Sequence, residues 1–139
     1  MPPSSPTTPV KVTTFPVVRH HIIPTAICAV IMILSSRRDF IQPGSPIHSH
    51  ILAPLASLTG TTLASAEATA ATVQTWTFRI LVDIHALEVP IFAATKLPAH
   101  GVAFLSGLWW KWVLAVFFGG KFTWDLFAET VRGAKAKGR

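Results

Sequence analysis

Charge is scarce in this chain, and acid is scarcer than base. Of 139 residues only 13% are charged, with 6 Asp+Glu set against 12 Lys+Arg. A typical soluble domain carries about 25% charged residues. Half of the chain is hydrophobic, and its mean hydropathy is +0.49. These values exclude a disordered chain and a coiled coil, and they argue against an ordinary soluble enzyme. Cysteine is nearly absent: the single Cys28 excludes an internal disulfide framework and any CxxC zinc site. No GxxxxGK(S/T) and no GxGxxG is present, so nothing supports a phosphate-binding loop. GxSxG is missing too, and Cys28 lies in an apolar run without a local base.

What remains is a short, apolar, basic chain. Its length allows one domain. The formal charge of +6 would suggest nucleic acid in a soluble protein. In an apolar chain it reflects basic flanks beside membrane spans, so no nucleic-acid partner is expected. Residues 1–20 hold Pro2, Pro3, Pro6, Pro9 and Pro16 among Ser and Thr, and are expected to form a disordered tail. The tail is too long and too polar for a secretory signal peptide, and its prolines do not fit a mitochondrial presequence.

Ile22–Ser36 is the first strongly apolar run. Extended back to Val17 it approaches the roughly 20 residues that cross a bilayer. Arg19, His20 and His21 then stand at one headgroup layer, and Arg37 and Arg38 close the other end. Residues 39–50 read as a loop, from Pro43-Gly44 and Ser45-Pro46, and His48 and His50 as ordinary loop histidines. Residues 51–73 are rich in Ala, Ser and Thr, which suit close helix packing in a membrane, and form a candidate second span. Trp76–Thr95 is a third, ended by Lys96, Pro98, His100 and Gly101. Val102–Gly120 is the last, with Trp109, Trp110 and Trp112 expected at a membrane interface around a snorkelling Lys111. That placement slides the last span toward Leu108–Phe127 and makes Gly119-Gly120 a kink or a close helix contact. Residues 129–139 form a basic tail, cytosolic by charge asymmetry.

The third span carries the residues with chemistry. At 100° per residue, Arg79 and Asp83 share one face and are expected to pair. His85 and Glu88 share another face, which Phe92 and Lys96 continue. Ionisable groups in a bilayer cost roughly 2.5–3.5 kcal/mol each on insertion scales, so this set must pair, line a polar cavity or lie near the surface. His85 and Glu88 are the candidate catalytic residues, able to shuttle a proton or stabilise a cation in a lipid-like substrate. The competing expectation is a buried hydrogen-bonded pair that joins two helices. The other acids form no second such pair, so neither a metal site nor any cofactor is expected. Near the end of the chain, Lys135 and Lys137 stand fifth and third from the last residue, a spacing that resembles the dilysine retrieval signal of endoplasmic reticulum membrane proteins.

From His85 the sequence reads HALEVPIFAATKLPAHGVAFLSGLWWKWVLAVFFGG. His85, Glu88, Lys96, Gly101, Gly107 and Phe117-Phe118-Gly119 in this stretch resemble the transmembrane protein 254 family of small multi-pass membrane proteins. The Trp109–Trp112 cluster and Lys111 depart from that pattern. The resemblance implies location and architecture and supplies no reaction.

Together these readings predict an all-α, multi-pass transmembrane bundle of three or four helices. It has a disordered tail over 1–20, a membrane-embedded helical domain over 21–128 and a basic cytosolic tail over 129–139. The expected function is that of a non-enzymatic accessory or scaffold protein of the endoplasmic reticulum membrane, in contact with lipid, sterol or a larger membrane protein. The alternatives are a membrane-embedded isomerase or lipid-modifying enzyme using His85 and Glu88, and a supernumerary subunit of a mitochondrial inner-membrane complex.

Overall fold

The computed structural model describes residues 9–137. These residues are all-α in their regular structure: α1 (Arg19–Ser36), α2 (Ala53–Thr59), α3 (Leu63–Ala99), α4 (Gly107–Gly119) and α5 (Lys121–Lys137). A 3₁₀ turn spans Arg38–Phe40, and a π-helical turn over His48–Leu52 runs into α2. The chain divides into two compact units, Met1–Ala26 with His85–Arg139, and Ile27–Ile84.

The first unit is built on aromatic packing. Phe92 and Trp112 are fully buried, and Phe127 joins them, with ring centroids 4.9 Å from Trp112 and 5.1 Å from Phe92 in edge-on geometry. Such arrangements suit the ring quadrupole. α4 starts where Ser106 accepts a hydrogen bond from the Trp109 amide at 3.1 Å, satisfying one orphan N–H of the first turn. α5 is amphipathic: Thr123, Leu126 and Phe127 are buried and Val131 packs beside the same core, which is one stripe at helical spacing. Residues 9–18 are not helical, yet they are tied down. Val12 is buried, its amide donates to the His100 carbonyl at 2.9 Å, and Phe15 lies 4.6 Å from Trp112. The expected disordered tail over 1–20 is therefore corrected for residues 9–20; residues 1–8 lie outside the described residues.

The second unit is held mainly by polar links. Gln74 Nε2 donates to the carbonyls of Leu34 (2.8 Å) and Arg37 (2.7 Å), closing orphan acceptors at the end of α1. Arg38 donates to the Ala71 carbonyl and to Thr75 Oγ1, and His48 Nε2 meets Glu67 Oε1 at 2.8 Å. Residues 51–73 do not form one helix. Gly60 ends α2 in the left-handed region at φ 66°, and Thr62 caps the next helix by accepting from the Ser65 amide at 3.3 Å.

Of the described helices, α1 is long and apolar enough to cross a membrane. α3 has 37 residues but carries Arg79, Asp83 and Glu88 in its apolar part, α4 has only 13 residues, and Gly120 separates it from α5. The three or four spans expected from hydropathy thus reduce to one that meets the requirement. The tryptophan cluster is also placed differently. Trp109 and Trp112 face the core and only Trp110 is exposed, at 47%. Trp112→Ala is expected to cost about 3–5 kcal/mol, as large-to-small changes at buried aromatics do, and Trp110→Ala less than about 1 kcal/mol. Thermal unfolding of both variants in mild detergent checks this; equal losses would contradict the core assignment.

Candidate functional site

His85 and Glu88 stand one turn apart on α3 within the first unit. His85 is 7% exposed. Its Nδ1 and the Oε2 of Glu88 are enclosed and have no hydrogen-bond partner. Among the described residues no hydrogen bond joins the two side chains, in contrast to the expected hydrogen-bonded pair. The Gly120 backbone lies against Glu88 Oε2 and against the other imidazole nitrogen, His85 Nε2. A Cβ built on Gly120 would lie 2.6 Å from His85 Nε2 and 2.8 Å from Glu88 Oε2. Gly120 adopts φ 46°, ψ −124°, a region essentially reserved for glycine.

Gly119 makes the matching approach on its own side. A Cβ there would lie 2.6 Å from the hydroxyls of both Thr25 and Thr123. These hydroxyls are satisfied: Thr25 Oγ1 donates to the His21 carbonyl at 2.9 Å and Thr123 Oγ1 to the Ala115 carbonyl at 2.7 Å. The glycine pair thus makes the close helix contact, and in place of a kink within one helix it ends α4 before α5 begins. An imidazole beside a carboxylate can move a proton in principle. Here the Gly120 backbone already occupies the space in front of both groups, and a single methyl there would clash. Two polar atoms are enclosed here without partners, at a cost of about 1–3 kcal/mol each.

The rest of the expected polar set is dispersed. Arg79 and Asp83 are both exposed, and no ion pair joins them among the described residues, which corrects their expected pairing. Lys96 is exposed, with its ammonium 5.7 Å from the Trp124 ring centroid, a cation–π contact worth about 0.5–1 kcal/mol at such a site. It borders a cavity of about 390 Å³ that His100, Trp124, Phe127 and Arg132 also line. Lys135 and Lys137 are exposed in the last turn of α5, which runs through the expected basic tail as far as Lys137. Gly138 and Arg139 lie outside the described residues.

Two clusters had no sequence signal. His48, read as an ordinary loop histidine, is buried against Glu67, whereas His50 is exposed. His20 and His21, in the first turn of α1, converge on Glu129 of α5. The His21 Nε2 to Glu129 Oε2 distance is 3.1 Å and that from His20 Nε2 is 3.6 Å. Hydrogen bonding from His21 holds the Glu129 carboxyl below its ordinary pKa. The partners are 108 positions apart, so only the fold brings them together. Comparison with known proteins finds no match among family models, curated proteins or solved structures.

The glycine pair generates a direct test. Gly120→Ala combines a disfavoured backbone region with overpacking against His85 and Glu88, and is expected to cost about 2–4 kcal/mol. Gly60→Ala, where φ is also positive but nothing lies within 4 Å, is expected to cost about 1–2 kcal/mol from backbone strain alone. Unfolding temperatures of the two variants measure the difference; equal shifts would contradict the close approach at Gly120.

Proposed function

We propose that this chain is an integral membrane protein, held in the bilayer by α1, that works without catalysis as an accessory or scaffold protein of the endoplasmic reticulum membrane. The observation that carries this reading is the bare apolar surface of α1. Ile22, Ile23, Ile27, Val30, Ile31, Ile33 and Leu34 are all exposed, and only 11% of the helix is buried. Leaving such side chains in water forfeits about 1.5–3 kcal/mol apiece. Eighteen residues at 1.5 Å each give about 27 Å, close to the thickness of a bilayer's hydrocarbon core. Arg19 at one end and Arg37 and Arg38 just past the other would sit at the two headgroup layers.

α3 adds a second apolar face. Val73, Trp76, Ile80, Ile84, Leu87 and Ile91 are exposed and recur at steps of three and four, within about 80° of the helix circumference. Lipid, or a helix of a larger membrane partner, is the chemistry that would cover such a stripe. The non-enzymatic reading rests on the packing at Gly120, which leaves no room for a substrate against His85 and Glu88 on that side. The reticulum location belongs to the proposal, and the substitution of Lys135 and Lys137, both exposed on α5, tests it.

Two measurements test the proposal. Cys28, midway along α1, is expected to resist a membrane-impermeant maleimide in microsomes, whether or not the far side is permeabilised, and to react fully in denaturing detergent. Labelling in intact membranes would place it in water and contradict the span. Lys135→Ser/Lys137→Ser is expected to move the protein from the reticulum toward the Golgi and cell surface. Mitochondrial staining unaffected by the substitutions would favour the alternative of an inner-membrane subunit.

A further inference from the structure

We propose that His20, His21 and Glu129 form a binding site for a divalent transition-metal ion, with zinc the best fit to the donor set. This departs from the expectation that no metal site is present, which the sequence alone had no means to correct. The three ligand atoms lie within 4.8 Å of one another, and both imidazoles present Nε2 to the same carboxylate oxygen, at 3.1 and 3.6 Å. Four donors placed tetrahedrally about 2.0–2.2 Å from zinc stand about 3.3–3.6 Å apart. The two imidazole–carboxylate distances span that separation, and the two imidazole nitrogens lie within 4.8 Å of each other, so closing on an ion asks at most about an ångström of movement, which the exposed His20 side chain can supply.

The setting favours a metal over a simple ion pair. A histidine–carboxylate pair needs one imidazole, whereas two adjacent ones converge here with ring centroids 4.3 Å apart. The His21 side chain is only 10% exposed, so one ligand is held in place before any ion arrives. His20 and Glu129 remain accessible, which supplies an entry path and leaves a fourth position for water. Two nitrogens and one oxygen suit zinc and its neighbours in the transition series and do not suit calcium or magnesium, which take oxygen ligands. The ligands come from the first turn of α1 and from α5, both within the first unit, so a bound ion would fasten these two helices together.

The test uses the full chain purified in detergent without a polyhistidine tag, titrated with zinc and, for its visible spectrum, with cobalt(II). One equivalent of metal is expected to bind, with cobalt bands of tetrahedral type and a higher unfolding temperature in zinc. Loss of an outer-shell partner alone weakens metal sites 10–100-fold, so loss of a ligand is expected to weaken binding at least about 100-fold. His20→Ala is the decisive variant, because His20 is exposed and its loss is expected to leave the metal-free fold and unfolding temperature nearly unchanged. Glu129→Gln should reproduce the effect, and His50→Ala, at an exposed histidine of the other unit, should not weaken binding. Absence of stoichiometric binding by the unmodified chain would overturn the proposal. So would binding that survives His20→Ala or Glu129→Gln at full affinity.

Discussion

A side chain at Gly120 would stand 2.6 Å from one polar atom of His85 and 2.8 Å from one of Glu88, so α4 can turn into α5 here only over a residue without one. The same holds next door, where Gly119 meets the hydroxyls of Thr25 and Thr123. These approaches link the start of α1, the middle of α3 and the α4–α5 turn within the first unit. Around them the aromatic core of Phe92, Trp112 and Phe127 closes. The enclosed, unpartnered His85 Nδ1 and Glu88 Oε2 weaken the unit, and the burial of three large aromatic rings offsets them.

A second tension lies on the surface. The first unit packs an interior of its own, while α1 and one face of α3 expose isoleucine, leucine and valine along their lengths. In water that surface would drive association. In a bilayer it is the expected exterior, because lipid removes the hydrophobic penalty and leaves only helix packing to be satisfied. Polar residues at the two ends of α1 complete the pattern, and the convergence of His20 and His21 on Glu129 falls at one of those ends.

The sequence made part of this legible. The apolar run Ile22–Ser36 marked α1, and Lys96, Pro98, His100 and Gly101 marked the end of α3, where Gly101 has φ 70°. Gly119-Gly120 was recognisable as a kink or close helix contact, but within one continuous span, whereas α4 ends there and α5 begins. Other features depended on distant partners. Hydropathy placed the tryptophans at an interface, but Trp112 has the 3.6-residue spacing of a core position as well, and only packing decides between them. Residues 9–18 looked like tail because proline and threonine carry no helical period, yet Val12 pairs with His100 through backbone. Residues 129–137 read as tail for their charge, whereas α5 continues through them because Leu126, Phe127 and Val131 anchor its apolar side. The absence of a His85–Glu88 hydrogen bond had no signal at all, since three-residue spacing permits a bond without requiring one.

Alkaline carbonate extraction of membranes carrying the unmodified chain tests the central claim most directly. High pH and salt strip proteins held by charge and leave those whose apolar surface lies in lipid. The account predicts that the protein stays in the membrane pellet. It also predicts release when Ile27, Val30 and Ile31 on α1 are replaced by Asp. Release of the unmodified protein into the supernatant would mean that the apolar face of α1 is covered by something other than the bilayer, and would contradict the account.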